Sequence, residues 1–208
     1  MLRRCVAEFL GTALMVGAGC GSIALGASNI MIASCFGIAV TAAILVFQPI
    51  SGAHINPAVT IAFWRSGHLE KQAVTPYILA QLCGATFAAS FLQGIGPTTV
   101  SDDVSFLSAS LVEVFITFTL MGSIYWIVLR SQTHISIAFF VGLVVALLAF
   151  FFGPMTGASM NPARTFGPNL FSNEALLIPF YSLTTVCGAW IAAEIFNRLK
   201  PNGNLNSD

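Results

Sequence analysis

Apolar positions along this chain gather into six long blocks, at about 5–27, 30–48, 73–95, 107–129, 134–153 and 175–199. A helix needs about 20 mostly apolar residues to cross the hydrocarbon core of a bilayer. Each block therefore predicts a membrane-spanning helix. Two shorter segments, about 56–65 and 161–171, are too short to cross, and each opens on Asn-Pro-Ala. Proline suits the first helical turn, because the N–H it lacks would be unpaired there. Both segments predict half-helices that enter the membrane and stop. The expected fold class is an all-α membrane protein with six transmembrane helices plus two re-entrant half-helices.

Composition agrees with this pattern. Of 208 residues, 56% are hydrophobic and 8% charged, whereas a water-facing domain carries about 25% charged residues. Lipid must cover most of the outside. The 8 basic and 8 acidic side chains balance, and neither a basic run nor aromatic–basic interleaving suggests nucleic acid as a partner. There is no nucleophile–histidine–acid arrangement, metal-ligand spacing or glycine-rich phosphate loop, so neither catalysis nor a cofactor is expected. Cys5, Cys20, Cys35, Cys83 and Cys187 lie within or at the ends of apolar blocks without CxxC spacing, and read as small buried apolar residues. Arg3 and Arg4 precede the first block as in a signal peptide, but that block is too long and others follow. It reads as a retained first span.

With six crossings, both termini share a side. That side receives Arg3, Arg4, Arg65, Lys71, Arg130, Arg198 and Lys200. The other side receives Asp102, Asp103, Glu174 and a single cation, Arg164. This asymmetry satisfies the positive-inside rule and predicts cytoplasmic termini. Arg164 stands apart, since it falls inside a re-entrant segment rather than a loop. His68 and His134 fall at cytoplasmic loops and are given no special role.

Shifted by 105 residues, the chain partly matches itself. Glu8 falls on Glu113, Thr12 on Thr117, Gly17 on Gly122, Gly37 on Gly142 and Pro49 on Pro154. Ser51–Thr60 (SGAHINPAVT) falls on Thr156–Thr165 (TGASMNPART). After a one-residue slip, Cys83-Gly84-Ala85 falls on Cys187-Gly188-Ala189. The expected organisation is a first repeat at 1–105 and a second at 106–208, each with three spans and a half-helix, together forming one domain. An odd number of spans per repeat inverts the second copy. Inverted repeats place their functional elements at the midplane, where broken helices meet.

Paired Asn-Pro-Ala motifs, the second extended to Asn161-Pro162-Ala163-Arg164, resemble the signature of the aquaporin, or major intrinsic protein, family. So do Ser51-Gly52-Ala53-His54 and Ala7-Glu8-Phe9-Leu10-Gly11-Thr12, and the resemblance covers nearly the whole chain. It implies a passive channel for water that excludes protons and ions, assembled as a homotetramer with one pore per subunit. The small Gly11, Gly17, Gly19 and Gly21 allow close packing, within or between subunits. The minimal loops and the polar tail at 200–208 suggest a bacterial inner membrane.

The residues support that reading chemically. Half-helices pointing their N-termini at the midplane place positive dipole ends there, each equivalent to roughly half a charge, which repels cations and protons. Asn56 and Asn161 cap those ends. Each side-chain oxygen can hold the backbone while its nitrogen donates to passing water. The residues just before them cannot be helical, and unpaired backbone at membrane depth is tolerated only along a wet path. Gly52, Ala53, His54 and Ile55, with Gly157, Ala158, Ser159 and Met160, are therefore expected to offer a ladder of carbonyl acceptors. His54 is either a fixed neutral hydrogen-bonding group or, less expectedly, a pH sensor. Glu8 and Glu113 lie inside spans, where a carboxylate must be paired or functional. Each is expected to hold a re-entrant loop. Glu194, matched by Ser90, is assigned no role.

In the family, four residues form the narrowest ring. Counting from the motifs places them at Phe36, Ala149, Ala158 and Arg164. Water-selective members carry His at the Ala149 position. Glycerol facilitators carry two ring aromatics and an Asp after the Arg, where this chain has one aromatic and Thr165. Small residues at two corners imply a wider ring, leaving glycerol, urea, ammonia and neutral metalloid hydroxides open as further solutes. Two alternatives stay open: a coupled transporter, if Glu8 or Glu113 meets the lumen, and a non-conducting scaffold of the same fold.

Overall fold

The computed structural model describes residues 1–131 and 133–199. Lys200 and the polar tail lie outside the described residues. Among the described residues the regular structure is entirely helical: α1 (Leu2–Ala24), α2 (Asn29–Ser51), α3 (Pro57–Arg65), α4 (Lys71–Leu92), α5 (Phe106–Arg130), α6 (His134–Thr156), α7 (Pro162–Leu170) and α8 (Ile178–Leu199), with a 3-10 turn at Ala175–Leu177. Six segments are long and apolar enough to cross a membrane. α3 and α7, at 9 residues each, are not.

Local chemistry explains the boundaries. α2 and α6 run past Pro49 and Pro154, each close to its helix end, and stop at Gly52 (φ 88°) and Gly157 (φ 71°). A left-handed residue ends a helix most cheaply when it has no Cβ. Both helices thus end three residues later than the apolar blocks implied. α4 stops where Gln93 turns left-handed (φ 50°). Ser105 and Thr133 cap α5 and α6 by accepting from the backbone N–H of Ser108 and Ser136.

α1 packs on α2 and α4, and α5 packs on α6 and α8, while α2 and α6 join the two groups. Small residues set these approaches. A Cβ on Gly37 would lie 2.6 Å from the carbonyl oxygen of Gly142, and one on Gly142 equally near that of Gly37. Gly84 sits against the Phe9 carbonyl and Gly188 against that of Val114. The half-helices fill the interior: α3 against α4 and α8, α7 against α4, α8 and α1. Large apolar side chains such as Leu10, Leu14, Ile38, Phe91, Phe115, Leu143 and Leu183 face outward. The chain is an integral membrane protein that turns its apolar surface to lipid.

Two expectations need correction. Of the five cysteines, only Cys20 is buried; Cys83 and Cys187 are exposed, because the outside of this fold is apolar and accepts a thiol as readily as the core does. Glu194 has a partner: it pairs with Arg65 at 2.6 Å, near the ends of α3 and α8. Arg4 pairs with Glu70, joining the starts of α1 and α4. The glycines of α1 pack within the chain, Gly11 facing Ile55 and Phe47, and Gly19 facing the Phe36 ring.

Candidate transmembrane pore

The helices enclose a cavity of about 290 Å³. One wall is aliphatic, with Val40 and Ile44 from α2, Leu120 and Ile124 from α5, and Val141 and Val145 from α6. The other is built from the loops between α2 and α3 and between α6 and α7.

Asn56 and Asn161 cap α3 and α7. The Asn56 side-chain oxygen accepts from the backbone N–H of Ala58 at 2.8 Å, and that of Asn161 from Ala163 at 2.9 Å. Each amide nitrogen then crosses to the other loop. Asn56 Nδ2 donates to the Met160 carbonyl and Asn161 Nδ2 to the Ile55 carbonyl, both at 2.8 Å. The two half-helix N-termini therefore meet face to face beside the cavity. Each amide has a second N–H; that of Asn161 also approaches the Met15 thioether at 3.6 Å.

The loop before each Asn is strained. Ala53, Ile55, Ala158 and Met160 all have positive φ, between 41° and 52°, where an L-residue loses roughly 1–2 kcal/mol. Paired carboxylates hold these turns. Glu8 accepts from the backbone N–H groups of His54 (2.9 Å) and Ile55 (2.6 Å), from the Ser51 hydroxyl and from Gln81. Glu113 accepts from the N–H groups of Ser159 (2.9 Å) and Met160 (3.1 Å) and from the Thr156 hydroxyl. Both carboxylates are fully buried and lie outside the cavity wall.

Gly52, Ala53, His54 and Ile55 all line the cavity. From the second loop Ser159 and Met160 do, while Gly157 and Ala158 are not among the lining residues. His54 is buried, its Nδ1 3.2 Å from the Thr60 hydroxyl and its ring stacked on Phe63. Phe36, Ala149 and Arg164 line the cavity together. Arg164 is 4% exposed; it donates to the Gly96 carbonyl at 2.9 Å and lies 5.1 Å from the Phe36 ring centre.

Comparison with known proteins settles the family. The family model described as "Major intrinsic protein" matches residues 1–196. The chain belongs to the major intrinsic protein family. It is 35% identical to Aquaporin AqpM of Methanothermobacter marburgensis, covering 96% of this chain and 98% of that protein. It is 34% identical to the glycerol uptake facilitator protein of Escherichia coli, covering 81% and 73%, and to Aquaporin NIP1-1 of Zea mays, covering 96% and 75%. Its fold matches the X-ray structure of the aquaglyceroporin from Plasmodium falciparum with a TM-score of 0.88 at 22% identity, over 95% of this chain and 96% of that one.

Sequence reasoning missed several parts of this major intrinsic protein. His68 was assigned to a loop without a role, yet it lines the cavity and packs among Phe63, Tyr125 and Phe196. Tyr77 and Tyr181 donate to the last helical carbonyls, Ser51 (2.7 Å) and Thr156 (2.8 Å). Their 104-residue separation, the slip seen at Cys83 and Cys187, was an available signal. Asn169 ties the loop between α4 and α5 to α7 through Thr98, and no spacing in the sequence pointed to it.

Proposed function

We propose that this chain is a passive channel for water and small uncharged solutes that excludes protons and ions. The observation that carries this reading is the meeting of the two Asn-capped half-helix N-termini beside the central cavity. Their dipole ends disfavour cations there. Asn56 orients water through its second amide N–H, and Asn161 through the N–H it turns toward the Met15 thioether, a weak acceptor that water replaces. The carbonyls of Gly52, Ala53, His54 and Ile55, with Ser159 and Met160, supply acceptors along one side. The carbonyls of Ile55 and Met160 share that duty with the crossing amides, and those of Gly157 and Ala158 extend the second loop's series. Arg164, Phe36, Ala149 and Ala158 form the selective ring. Glu8 and Glu113 brace the loops.

The same carboxylates argue against coupled transport. Each has its oxygens occupied by donors and is shut off from the cavity, so neither offers an exchangeable ion site. A non-conducting scaffold has no use for a cavity with an aliphatic wall on one side and strained polar loops on the other. The aquaporin and glycerol-facilitator relatives support the solute class. We further read residues 1–105 and 106–208 as inverted repeats of one domain, supported by the matching Glu8 and Glu113 networks. The protein is read as a homotetramer with cytoplasmic termini in a bacterial inner membrane, on the family pattern and the charge asymmetry of its loops.

Stopped-flow light scattering on proteoliposomes tests the proposal. Fast shrinkage in sucrose followed by reswelling in glycerol or urea supports a channel with a wide ring. Shrinkage without reswelling restricts it to water, and rates equal to empty liposomes refute it.

A further inference from the structure

Outside the pore, a second cavity of about 300 Å³ opens between α5 and α8. Gly122 and Ala192 are among its lining residues, with Trp126, Leu129, Ile195 and Leu199. It is genuinely unfilled at Gly122: a Cβ there would meet nothing within 4 Å. At Gly17, 105 residues earlier, a Cβ would meet Ala88 at 3.8 Å. The groove opens on the apolar outer surface of the chain, where Trp126, Leu129, Ile195 and Leu199 are exposed.

Its end carries positive charge. Arg130 and Arg198 occupy the last turns of α5 and α8, and both are exposed. The Arg130 guanidinium lies over the Trp126 ring, 4.9 Å from its centre. The nearby acid, Glu194, pairs with Arg65. Among the described residues, the ion pairs include neither Arg130 nor Arg198. An apolar slot ending in two cations, on a surface that faces a bilayer, matches a molecule with a hydrocarbon tail and an anionic head.

We propose that the α5–α8 groove is a binding site for an anionic phospholipid, one acyl chain lying along Gly122 and Trp126 and the phosphate held by Arg130 and Arg198. The proposal does not depend on what the pore conducts. Each arginine near an anionic membrane surface strengthens attraction by about fivefold.

Trp126 is a built-in reporter. The test uses full-length protein carrying Trp64→Phe and Trp190→Phe, reconstituted in phosphatidylcholine bilayers. Brominated-chain phosphatidylglycerol or brominated-chain phosphatidylcholine is then added at matched mole fractions. Brominated phosphatidylglycerol should quench Trp126 at a several-fold lower mole fraction than brominated phosphatidylcholine. Arg130→Gln with Arg198→Gln should erase that preference, and Gly122→Leu, which fills the groove, should weaken quenching by the anionic lipid. Both arginines are exposed, so their substitution leaves the fold intact. Circular dichroism and the unchanged water permeability of the double variant verify this. Equal quenching by the two lipids, or a preference that survives the double substitution, overturns the proposal. Protection of Trp126 from both lipids, with crosslinking to a second copy through this face, overturns it in favour of a subunit interface.

Discussion

Glu113→Ala removes the group on which the second re-entrant loop hangs. In the native loop the carboxylate receives the N–H groups of Ser159 and Met160 and the Thr156 hydroxyl, with no part of the residue exposed. Alanine leaves two backbone N–H groups without an acceptor, at about 1–3 kcal/mol each in a dry interior. The native loop arrangement therefore loses about 2–6 kcal/mol. The left-handed turns at Ala158 and Met160 hold about 2–4 kcal/mol of strain, which now favours rearrangement. Once a collapsed loop is favoured by about 1.4 kcal/mol, only about one channel in ten keeps its native opening. Stopped-flow light scattering should show osmotic permeability per reconstituted protein falling by about tenfold or more. Circular dichroism should show the helices retained. Glu8→Ala should act similarly through His54 and Ile55. Wild-type permeability and unchanged thermal stability in Glu113→Ala would refute the bracing argument.

Other substitutions probe separate parts of the account. Arg164→Ala removes the buried cation beside Phe36 and should raise proton leak several-fold while water still passes, read with an internal pH-sensitive dye. Ala149→His adds bulk and a donor to the cavity wall, and should suppress glycerol and urea swelling more than water flow. Gly84→Ala drives a Cβ into the Phe9 backbone, and should destabilise the α1–α4 contact by about 1–3 kcal/mol, seen as a lower thermal midpoint in detergent.

Much of the fold was legible because lipid imposes a blunt rule: spans must be long and apolar, and anything shorter must have a reason to be there. The Asn-Pro-Ala segments broke that rule, and the 105-residue register tied each to a buried carboxylate. What escaped the sequence depends on three-dimensional proximity. His68 sits in the chain like a loop residue, and only the packing of Phe63, Tyr125 and Phe196 around it brings it to the cavity. Counting from the motif places Ala158 in the ring, but its left-handed backbone at φ 41° has no signal in the sequence. Nothing local announced that Gly19 clears space for Phe36, or that each Asn amide donates to the opposite loop.

The central claim is that the paired half-helix ends pass water and stop protons. Its most direct test measures both fluxes at once, in proteoliposomes loaded with a pH-sensitive dye and challenged first with sucrose, then with a pH step. The account predicts shrinkage much faster than in empty liposomes, with low activation energy, and proton entry no faster than in empty liposomes. Shrinkage at the empty-liposome rate, or proton entry rising in step with water, would contradict it.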